Sequence, residues 1–528
     1  MRLFFAIAGQ SIIVMVVLSS TLIAAGATSP ATQPSPTEPA ASARRAALIE
    51  RRNALRDALN AAEAELKETT EGSATQPGTP SQIQGTLLTP TTRASDTYST
   101  TEVAASPVTP VPAASDTEWF NVHAQATSIT QWHNDFPASY TGPNSLLPEE
   151  SAKTSVTATL FMGLRMPWEG GAFYFDPEIG GGEGFSNVQG IASFPNGDIS
   201  HVGAPQPEPY VARAYLQQVF GLGGDQEKVE SDQNQLAGYQ DVKRITVWLG
   251  KFAATDFFDN NTYSHDPRTQ FMNESLMDDT AWDYPADTRG YTIGGAIELN
   301  EPSWAIRYGV FQEPHTANGG TLDPHVLKAL GQAVEFENRW NFQDQPGVVR
   351  LMAYANVAHM GNYRQALASP GPNGIPDITL SRTYSCKYGF SISAEQAITS
   401  DLGIWGRAGW NNGQTETWAF TEVDDMESLG ISLKGTRWSR PDDVFGLAAA
   451  IAGLSDAHKD YLAAGGLGFI IGDGKLSYAP EEVLETYYDC KIADGVFITP
   501  DFQFVEHPAY NSARGPVEIL GLRVHLER

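Results

Sequence analysis

Beyond its N-terminus, the 528-residue sequence lacks any uninterrupted apolar run of the ~20 residues that a membrane-spanning helix needs. This absence excludes a bundle of transmembrane helices. It does not exclude a membrane β-barrel, because the strands of such a barrel carry their lipid-facing residues at every second position. Hydrophobic residues still make up 41% of the chain, which is enough for a large sheet with one apolar face.

Positive charge and cysteine are also scarce. The chain has 34 Lys and Arg against 62 Asp and Glu, a net charge of −28, which argues against a nucleic-acid partner. Its two cysteines, Cys386 and Cys490, are compatible with one disulfide but not with a disulfide framework or a metal cluster. We find no spacing of ligands that indicates a metal site or a cofactor.

Four N-terminal segments differ in amino-acid composition from the rest of the chain. Residues 1–27 have an early arginine, an apolar stretch and small residues at the end, which predicts a secretory signal peptide. Residues 28–40 are rich in Pro, Thr, Ser and Ala and are expected to be disordered. Residues 41–68 contain neither Gly nor Pro and favour a helix, and residues 69–117 form a Ser/Thr/Pro-rich linker.

The helix at 41–68 has two interpretations. Leucines recur on a three-four spacing, which indicates a short coiled coil that self-associates, but Arg45 and Arg52 interrupt this stripe. The alternative is a periplasmic helix that is solvated or docks on another surface, such as the cell wall. The sequence does not choose between the two.

From residue 119 to the end, segments of about ten residues alternate apolar and polar positions, with Gly/Asn/Asp/Pro-rich stretches between them. In "SWAIRYGVF", Trp304, Ile306 and Tyr308 share one face, opposite Arg307. The segments "GQAVEFENRWNF" and "LGISLKG" follow the same rule. These segments are predicted to be β-strands with one apolar and one polar face.

A soluble β-sandwich also alternates, so two further features decide the interpretation. The polar faces carry many ionised groups, and aromatic residues gather at segment ends, as they do where barrel strands meet lipid headgroups. At about ten residues per strand, residues 119–528 accommodate about sixteen antiparallel strands around an aqueous lumen. We therefore expect an all-β transmembrane barrel that forms an outer-membrane pore. The aromatic residues expected at the headgroups are Trp248, Trp282, Tyr284, Tyr291, Trp304, Trp340, Trp410 and Trp418.

The C-terminal segment "EILGLRVHLER" is expected to be the strand that closes the barrel. Leu520, Leu522 and Val524 alternate with Arg523 and His525, so the leucines should face lipid and the arginine the lumen. An open sheet edge cannot lie in hydrocarbon, so this strand should pair with the first one.

Long stretches of the sequence resemble the carbohydrate-selective porin family, the OprB-like porins of Gram-negative outer membranes. The resemblance covers roughly residues 119–528 and is carried by "RITVWLGKFAATDFFDNNTYSHDPRTQF" from residue 244, "GIWGRAGWNNGQTETWAF" from 403 and "AHKDYLAAGGLGFIIGDGKLSYAPEE" from 457. It implies a single-chain barrel of about sixteen strands in the outer membrane. It also implies passive, facilitated diffusion of glucose and other small sugars, without cofactor or energy input.

The alternation and the resemblance together nominate residues of a sugar pathway. Sugars are neutral polyols, so their recognition needs aromatic faces and paired charged or amide groups. Charged residues expected to face the lumen are Arg307, Glu335, Glu337, Arg339, Arg350, Arg407, Glu485 and Arg523. The segment "DFFDNNTYSHDPRTQFMNE" is the best candidate for an inward loop, with Asp256, Asp259, Asn260, Asn261, His265, Asp266 and Arg268 as hydroxyl-binding groups. As an alternative, these residues only cap turns.

Two other classes of function stay open at this point. A secreted all-β carbohydrate-active enzyme would need two carboxylates across a bond. The acid pairs in the sequence, Asp278-Asp279, Asp424-Asp425 and Asp442-Asp443, are adjacent and are expected to be acidic loop tips, so we expect no enzyme. The other class is a general or structural outer-membrane porin that contacts the cell wall through its N-terminal helix.

Overall fold

The computed structural model describes residues 117–199 and 206–528. The signal peptide, the disordered segment, the helix and nearly all of the linker expected at 1–117 lie outside the described residues. None of the helices in the described part of the chain is long and apolar enough to cross a membrane.

Eighteen strands and three α-helices are present among these residues. The strands are β1 Phe120–His133, β2 Lys153–Arg165, β3 Gly171–Gly182, β4 Glu208–Gly221, β5 Gln226–Val229, β6 Gly238–Asp241, β7 Arg244–Phe252, β8 Thr292–Glu301, β9 Trp304–Gln312, β10 Leu330–Phe342, β11 Gln345–Ala358, β12 Ser385–Ala397, β13 Leu402–Asn411, β14 Asp425–Gly435, β15 Arg440–Gly453, β16 Glu481–Ala493, β17 Val496–Glu506 and β18 Val517–Glu527. The helices are α1 Glu274–Met277, α2 Tyr363–Ala368 and α3 Asp456–Ala463, and five short 3-10 turns lie at Phe185–Asn187, Ala254–Asp256, Ile378–Ser381, Thr436–Trp438 and Pro508–Tyr510.

Sixteen of the described strands form a closed antiparallel barrel, as the sequence predicts. Each strand pairs with its neighbours in sequence order, except that β4 pairs with β7, because β5 and β6 form a separate two-stranded sheet. The barrel closes where β18 pairs with β1, in a register that places Arg523 opposite Ile129 and Leu522 opposite Thr130. The closing role expected for the last segment is therefore confirmed.

The two ends of the barrel differ in their connections. At one end, six of the seven connections between the described barrel strands are tight turns of two to five residues, such as 302–303, 343–344 and 494–495. At the other end, all connections are loops of ten or more residues, of which 253–291 is the longest. Antiparallel strands with the native twist favour two-residue turns with positive φ, and Gln343 and Asp344 have φ of 51° and 60°. The exception at the short-turn end is residues 222–243, which contain β5 and β6.

The strands separate an apolar outer face from a charged inner face. In β18, Leu520, Leu522 and Val524 are exposed on the outside, whereas Arg523 and His525 are 0% and 1% exposed. The same outward pattern of large apolar side chains recurs in the other strands, for example at Ile297, Phe336, Ile392 and Leu484. Such a continuous exposed apolar band suits contact with lipid chains.

The expected aromatic girdle is only partly correct. Trp340 and Trp410 are exposed, and Trp304 is half-buried, near strand ends. The other five residues are buried inside the barrel, because they lie at inward positions of strands or in loops folded inward. These five residues are Trp248, Trp282, Tyr284, Tyr291 and Trp418. The disulfide that the sequence allows is absent, since Cys386 and Cys490 are both free.

The outward face of β18 provides a test of its contact with lipid. Replacing Leu522→Arg, at the middle of the strand, should destabilise the folded barrel by about 2–4 kcal/mol, because a charge at the bilayer midplane is costly. Leu526→Arg, on the same face near the strand end, should cost about 0–1 kcal/mol. Unfolding by urea in lipid vesicles measures both. Equal costs at the two positions would contradict the assignment of this face to lipid.

Candidate functional site

The loop between β7 and β8, residues 253–291, folds into the barrel interior; we call it the inward loop. Nearly all of its residues from Phe271 to Asp287 are buried. Phe258 and Trp282 of this loop pack in one large apolar cluster, while Phe271 contacts Trp405 and Tyr487 of the barrel wall edge-on. The sequence prediction of an inward loop in this segment therefore agrees with the structure.

Carboxylates of the barrel wall accept hydrogen bonds from the backbone of the inward loop. Glu485 accepts from the N–H groups of Met272 and Asn273, at 2.6 and 2.9 Å. Glu395 accepts from the N–H of Thr262 at 2.6 Å. A buried N–H without a partner costs about 1–3 kcal/mol, so these contacts compensate the burial of an irregular backbone.

Arginines of the wall bind the same loop from other strands. Arg407 donates from Nε to Asp259 Oδ1 at 2.9 Å and from Nη1 to a loop carbonyl at 3.0 Å. Arg523 donates to two further loop carbonyls, those of Pro267 and Gln270, at 2.8 and 2.7 Å. Glu335 accepts from the N–H of Asp259 at 2.9 Å. Four of the eight predicted lumen charges, Glu335, Arg407, Glu485 and Arg523, thus hold the inward loop in place.

A row of alternating charges crosses neighbouring strands behind the loop. Arg307 lies between Glu335 and Glu337, with its Nη1 at 2.7 and 3.0 Å from their carboxylate oxygens. Arg350 then joins Glu337 to Glu395, at 3.0 and 3.2 Å. All of these side chains are nearly fully buried, and their charges compensate one another. Arg339 extends the row at 3.2 Å from Glu337.

A cavity of about 640 Å³ lies in the lumen beside the inward loop. Five of the residues nominated from the sequence contribute to its wall: Asp256, Asn260, His265, Asp266 and Arg268. The others do not line this cavity within the described part of the chain: Asp259, Asn261, Arg307, Glu335, Glu337, Arg339, Arg350, Arg407, Glu485 and Arg523. The wall residues among them lie behind the loop or bond to it. Asp259 and Asn261 belong to the loop and bond to the wall; Asn261, for example, donates to Ser393 at 3.3 Å.

Two arginines, each paired with acids, stand in the cavity wall. Arg268 of the inward loop contacts Asp198 at 2.6 Å and Glu178 at 3.1 Å. Arg213 of β4 forms two hydrogen bonds with Asp256, at 2.8 and 2.6 Å. The bidentate pair with Asp256 fixes the guanidinium plane of Arg213, and the contacts with two acids fix that of Arg268, so the directions of the remaining N–H groups are set. We call Arg213, Arg268 and Glu178 the arginine site.

Aromatic rings flank the arginine site. The hydroxyl groups of Tyr210 and Tyr291 both donate to Glu178, that of Tyr291 at 3.4 Å. The guanidinium of Arg289 lies over the Tyr210 ring at 4.2 Å from its centroid, and Arg213 lies over Tyr291 at 5.4 Å. Trp248 and Phe257, stacked at 4.5 Å, line the same cavity. The wall therefore combines flat apolar rings with fixed donors and acceptors.

Sequence reasoning missed most of the arginine site. Glu178 and Arg213 occupy inward positions of β3 and β4. Their alternation was a signal that could have found them. Asp198 carried no signal, because it lies in a loop and its position depends on the tertiary fold.

Acidic residues of the inward loop are buried, contrary to the expectation of acidic loop tips. Asp278 and Asp279 are 2% and 0% exposed, and Glu274 is 3% exposed. Burial raises the pKa values of Glu274 and Asp278 well above their usual range, and neighbouring acids add to the effect. Burial, with the charge of Asp259, raises the pKa of Asp279 from 3.8 to about 7.

Two further groups of the cavity wall have shifted pKa values. Burial lowers the pKa of His265, and the nearby Arg407 lowers it further, so its imidazole is neutral at pH 7. Burial by itself would raise the pKa of Asp266, but Arg268 and local hydrogen bonds lower it overall.

Asn260 has an amide nitrogen without a hydrogen-bond partner among the described residues. It is thus a free donor at the cavity.

Comparisons with known proteins give a consistent result. A family model described as "Carbohydrate-selective porin, OprB family" matches residues 151–527. Porin AaxA of Chlamydia abortus is 21% identical over 282 residues, which are 53% of this chain and 53% of that protein. Porin B of Pseudomonas aeruginosa is 25% identical over 221 residues, 39% of this chain and 48% of that one. The chain spans about half the length of these relatives.

A solved structure is similar over the whole barrel. The high-pH structure of Pseudomonas putida OprB superposes with a TM-score of 0.57 at 16% identity, covering 78% of this chain and 94% of that one. At this level of identity the likeness shows the shared fold.

The contact of Glu485 with the inward loop gives a first test. Glu485→Gln keeps one acceptor oxygen but leaves one buried N–H unbonded, so the barrel should lose about 1–3 kcal/mol of stability. The loosened loop should also raise single-channel current fluctuations. Glu482→Gln, on the outward face of the same strand, is the matched control. Indistinguishable stabilities of the two variants would contradict the anchoring role of Glu485.

Asp279 predicts a pH dependence. Its pKa is raised in the folded chain, from 3.8 to about 7, so the folded state holds this proton more tightly than the unfolded state. The stability that it contributes is complete below the unfolded value and is lost as the pH rises through about 7. Asp279→Asn keeps the acceptor for the Ala281 N–H and removes this titration.

Thermal unfolding in detergent between pH 4 and pH 8 measures the effect. Wild type should lose more stability over this interval than Asp279→Asn. Parallel curves for the two proteins would show that the Asp279 carboxyl does not titrate as described.

Proposed function

The chain belongs to the carbohydrate-selective porin, OprB family, and from this premise we propose that it lets glucose and other small neutral sugars diffuse passively through its lumen. Family and fold make it an outer-membrane porin and point to a channel rather than an enzyme.

The observation that carries the proposal is the arginine site in the cavity wall. A sugar hydroxyl both donates and accepts, and here fixed guanidinium donors stand beside the carboxylate of Glu178. Each arginine is paired with two acids, so neither presents an unpaired positive charge that would hold an anionic solute. It is therefore suited to neutral polyols.

The neighbouring rings supply the second element of sugar recognition. The C–H faces of a pyranose ring pack on aromatic side chains, and Tyr210, Tyr291 and Trp248 line the cavity close to the charged groups. We assign Asp256, Asn260, His265, Asp266 and Arg268 to the pathway with them. Of the remaining nominated charges, Glu335, Arg407, Glu485 and Arg523 hold the inward loop that narrows the lumen. The others, Arg307, Glu337, Arg339 and Arg350, pair with one another and with wall carboxylates.

A water-filled lumen with polar walls requires no energy input. A sugar exchanges hydrogen bonds with water for hydrogen bonds with the wall, so binding is weak and release is fast. This agrees with facilitated diffusion, in which flux saturates with concentration. Export through a signal peptide at 1–27 stays a prediction, as does cell-wall contact or self-association through residues 41–68, because these residues lie outside the described structure.

The second candidate, a general or structural porin, differs in selectivity. Liposome swelling with a panel of sugars and amino acids of similar size discriminates the two. We expect glucose to enter faster than a zwitterion of equal size. Equal rates for all solutes of one size would reduce the protein to a general porin.

Arg268 provides the mutational test. Arg268→Ala leaves Glu178 and Asp198 without their cation, so the site turns acidic and sugar preference should fall about three- to tenfold in swelling rate ratios. Arg268→Lys keeps the charge but not the planar pair of N–H groups, and should retain an intermediate preference.

Arg364→Ala is the control, because Arg364 forms an exposed ion pair with Asp460 outside the cavity. It should leave the preference unchanged. If Arg268→Ala retained the wild-type ratio of glucose to amino-acid flux, the arginine site would not select the solute.

A further inference from the structure

Residues 222–243, which we call the insert, interrupt the pattern of tight turns at the short-turn end of the barrel. Its two strands β5 and β6 pair only with each other in the described sheets. Yet the cavity that holds the arginine site is also lined by eight or more residues of the insert, including Gln233, Asn234 and Gln235. The insert therefore reaches from the short-turn mouth into the solute pathway.

Several contacts hold the insert in the mouth. Leu236 is 6% exposed and belongs to the apolar cluster of Tyr174 and Trp248. Glu118 accepts from the N–H of Ala237 at 2.8 Å, and Asn121 donates to the carbonyl of Gln235 at 2.7 Å. These contacts are buried or half-buried, so the insert occupies a fixed position.

The barrel wall is shaped to receive the insert. A Cβ atom on Gly163 would lie 2.5 Å from Asn121 Oδ1 and 3.2 Å from a methyl carbon of Leu236. At the other end of the insert, Arg244 pairs with Glu227 at 2.9 Å. Both the packing and the charges therefore match the insert to the wall.

The tip of the insert points at the centre of the barrel wall. Asp232 and Gln235 form a tight bridge, and Asn234 between them has a φ of 56°. Asn tolerates this left-handed conformation better than most residues. Its side chain Nδ2 donates to Asp176 Oδ2 at 2.9 Å, and Asp176 in turn lies 3.5 Å from Arg213 of the arginine site.

Two acceptor oxygens at this tip lack a partner among the described residues. These are Asn234 Oδ1 and Asp176 Oδ1; Asn234 lines the cavity, whereas Asp176 is 0% exposed and lies behind it. A buried acceptor without a donor costs free energy, which a bound O–H group would recover. Gln233 and Gln125 add further amides to the same stretch of wall. This group offers acceptors and amides without an unpaired positive charge.

We propose that Gln233 and Asn234, with Asp176 as the buried partner that positions Asn234, form a second hydroxyl-binding site for a neutral polyol, on the short-turn side of the arginine site. We call this second site the inner site, and it rests on the proposed function. A solute that leaves the arginine site passes the tip of the insert before it reaches the mouth. Two weak sites in series let a solute bind one while it leaves the other, which favours flux without tight binding.

Removal of the tip side chains tests the inner site. In the double variant Gln233→Ala/Asn234→Gly, glycine keeps the left-handed backbone while the amides are lost. The probe is glucose, added to channels in planar bilayers, and the measured quantity is the glucose concentration that halves the ion current. We expect this concentration to rise about three- to tenfold, the loss of one typical net hydrogen bond.

Lys228→Ala is the control, since Lys228 lies at the exposed edge of the insert, where it contacts Glu230, and does not line the cavity. It should shift the half-blocking concentration less than twofold. Folding of each variant is verified by heat-modifiable migration in SDS gels. If the double variant fails this check, the single variant Asn234→Gly replaces it, with an expected rise of about threefold.

The outcomes distinguish a failure of the proposed function from a failure of the inner site. A wild-type channel whose current does not respond to glucose overturns the proposed function, and the inner site with it. A wild-type channel that responds, while the tip variant behaves like Lys228→Ala, overturns the inner site and leaves the proposed function standing.

Discussion

An irregular loop can remain inside a closed barrel only if its backbone and its charges find partners there, because much of the water is displaced. In this protein the partners are carboxylates and arginines that project inward from the strands. Glu485 and Glu395 bond to N–H groups of the inward loop, and Arg407 and Arg523 bond to its carbonyls. The position of the loop sets the width and chemistry of the lumen. The proposed selectivity therefore depends on these buried hydrogen bonds.

Most inward charges bond to the inward loop or to one another, and for this reason they do not contact the solute in the proposed pathway. In the row from Arg307 through Glu337 and Arg350 to Glu395, each arginine is paired with acids, and none of these four residues lines the cavity. Removal of one member would leave a buried charge unpaired, which is costly. The cavity is left with a smaller group, Arg213, Arg268 and Glu178, whose geometry is fixed by further acids and tyrosines.

The barrel could be predicted from the sequence, whereas much of the site could not. Alternation has a period of two residues and is local. The inward position of Arg523 and the outward position of Leu522 therefore follow from a few neighbouring residues in the sequence. The contact of Arg268 with Asp198 joins two loops, and no local pattern encodes it. Prediction from alternation is limited in the same way for aromatic residues. Trp340 faces outward as expected, whereas Trp282 lies in the inward loop, where the alternation of a strand does not apply. The insert at 222–243 was likewise missed, because its role depends on contacts with Glu118, Asn121 and Asp176 across the mouth.

The central claim is that a neutral sugar binds between the arginines and Glu178 in the lumen. A crystal structure of the protein equilibrated with glucose tests it most directly. The account predicts sugar density with hydroxyl groups in hydrogen-bond distance of Arg213 or Arg268, against the rings of Tyr210 and Tyr291, and with the inward loop in place. A lumen without sugar density at saturating glucose, or an inward loop outside the barrel, would contradict it.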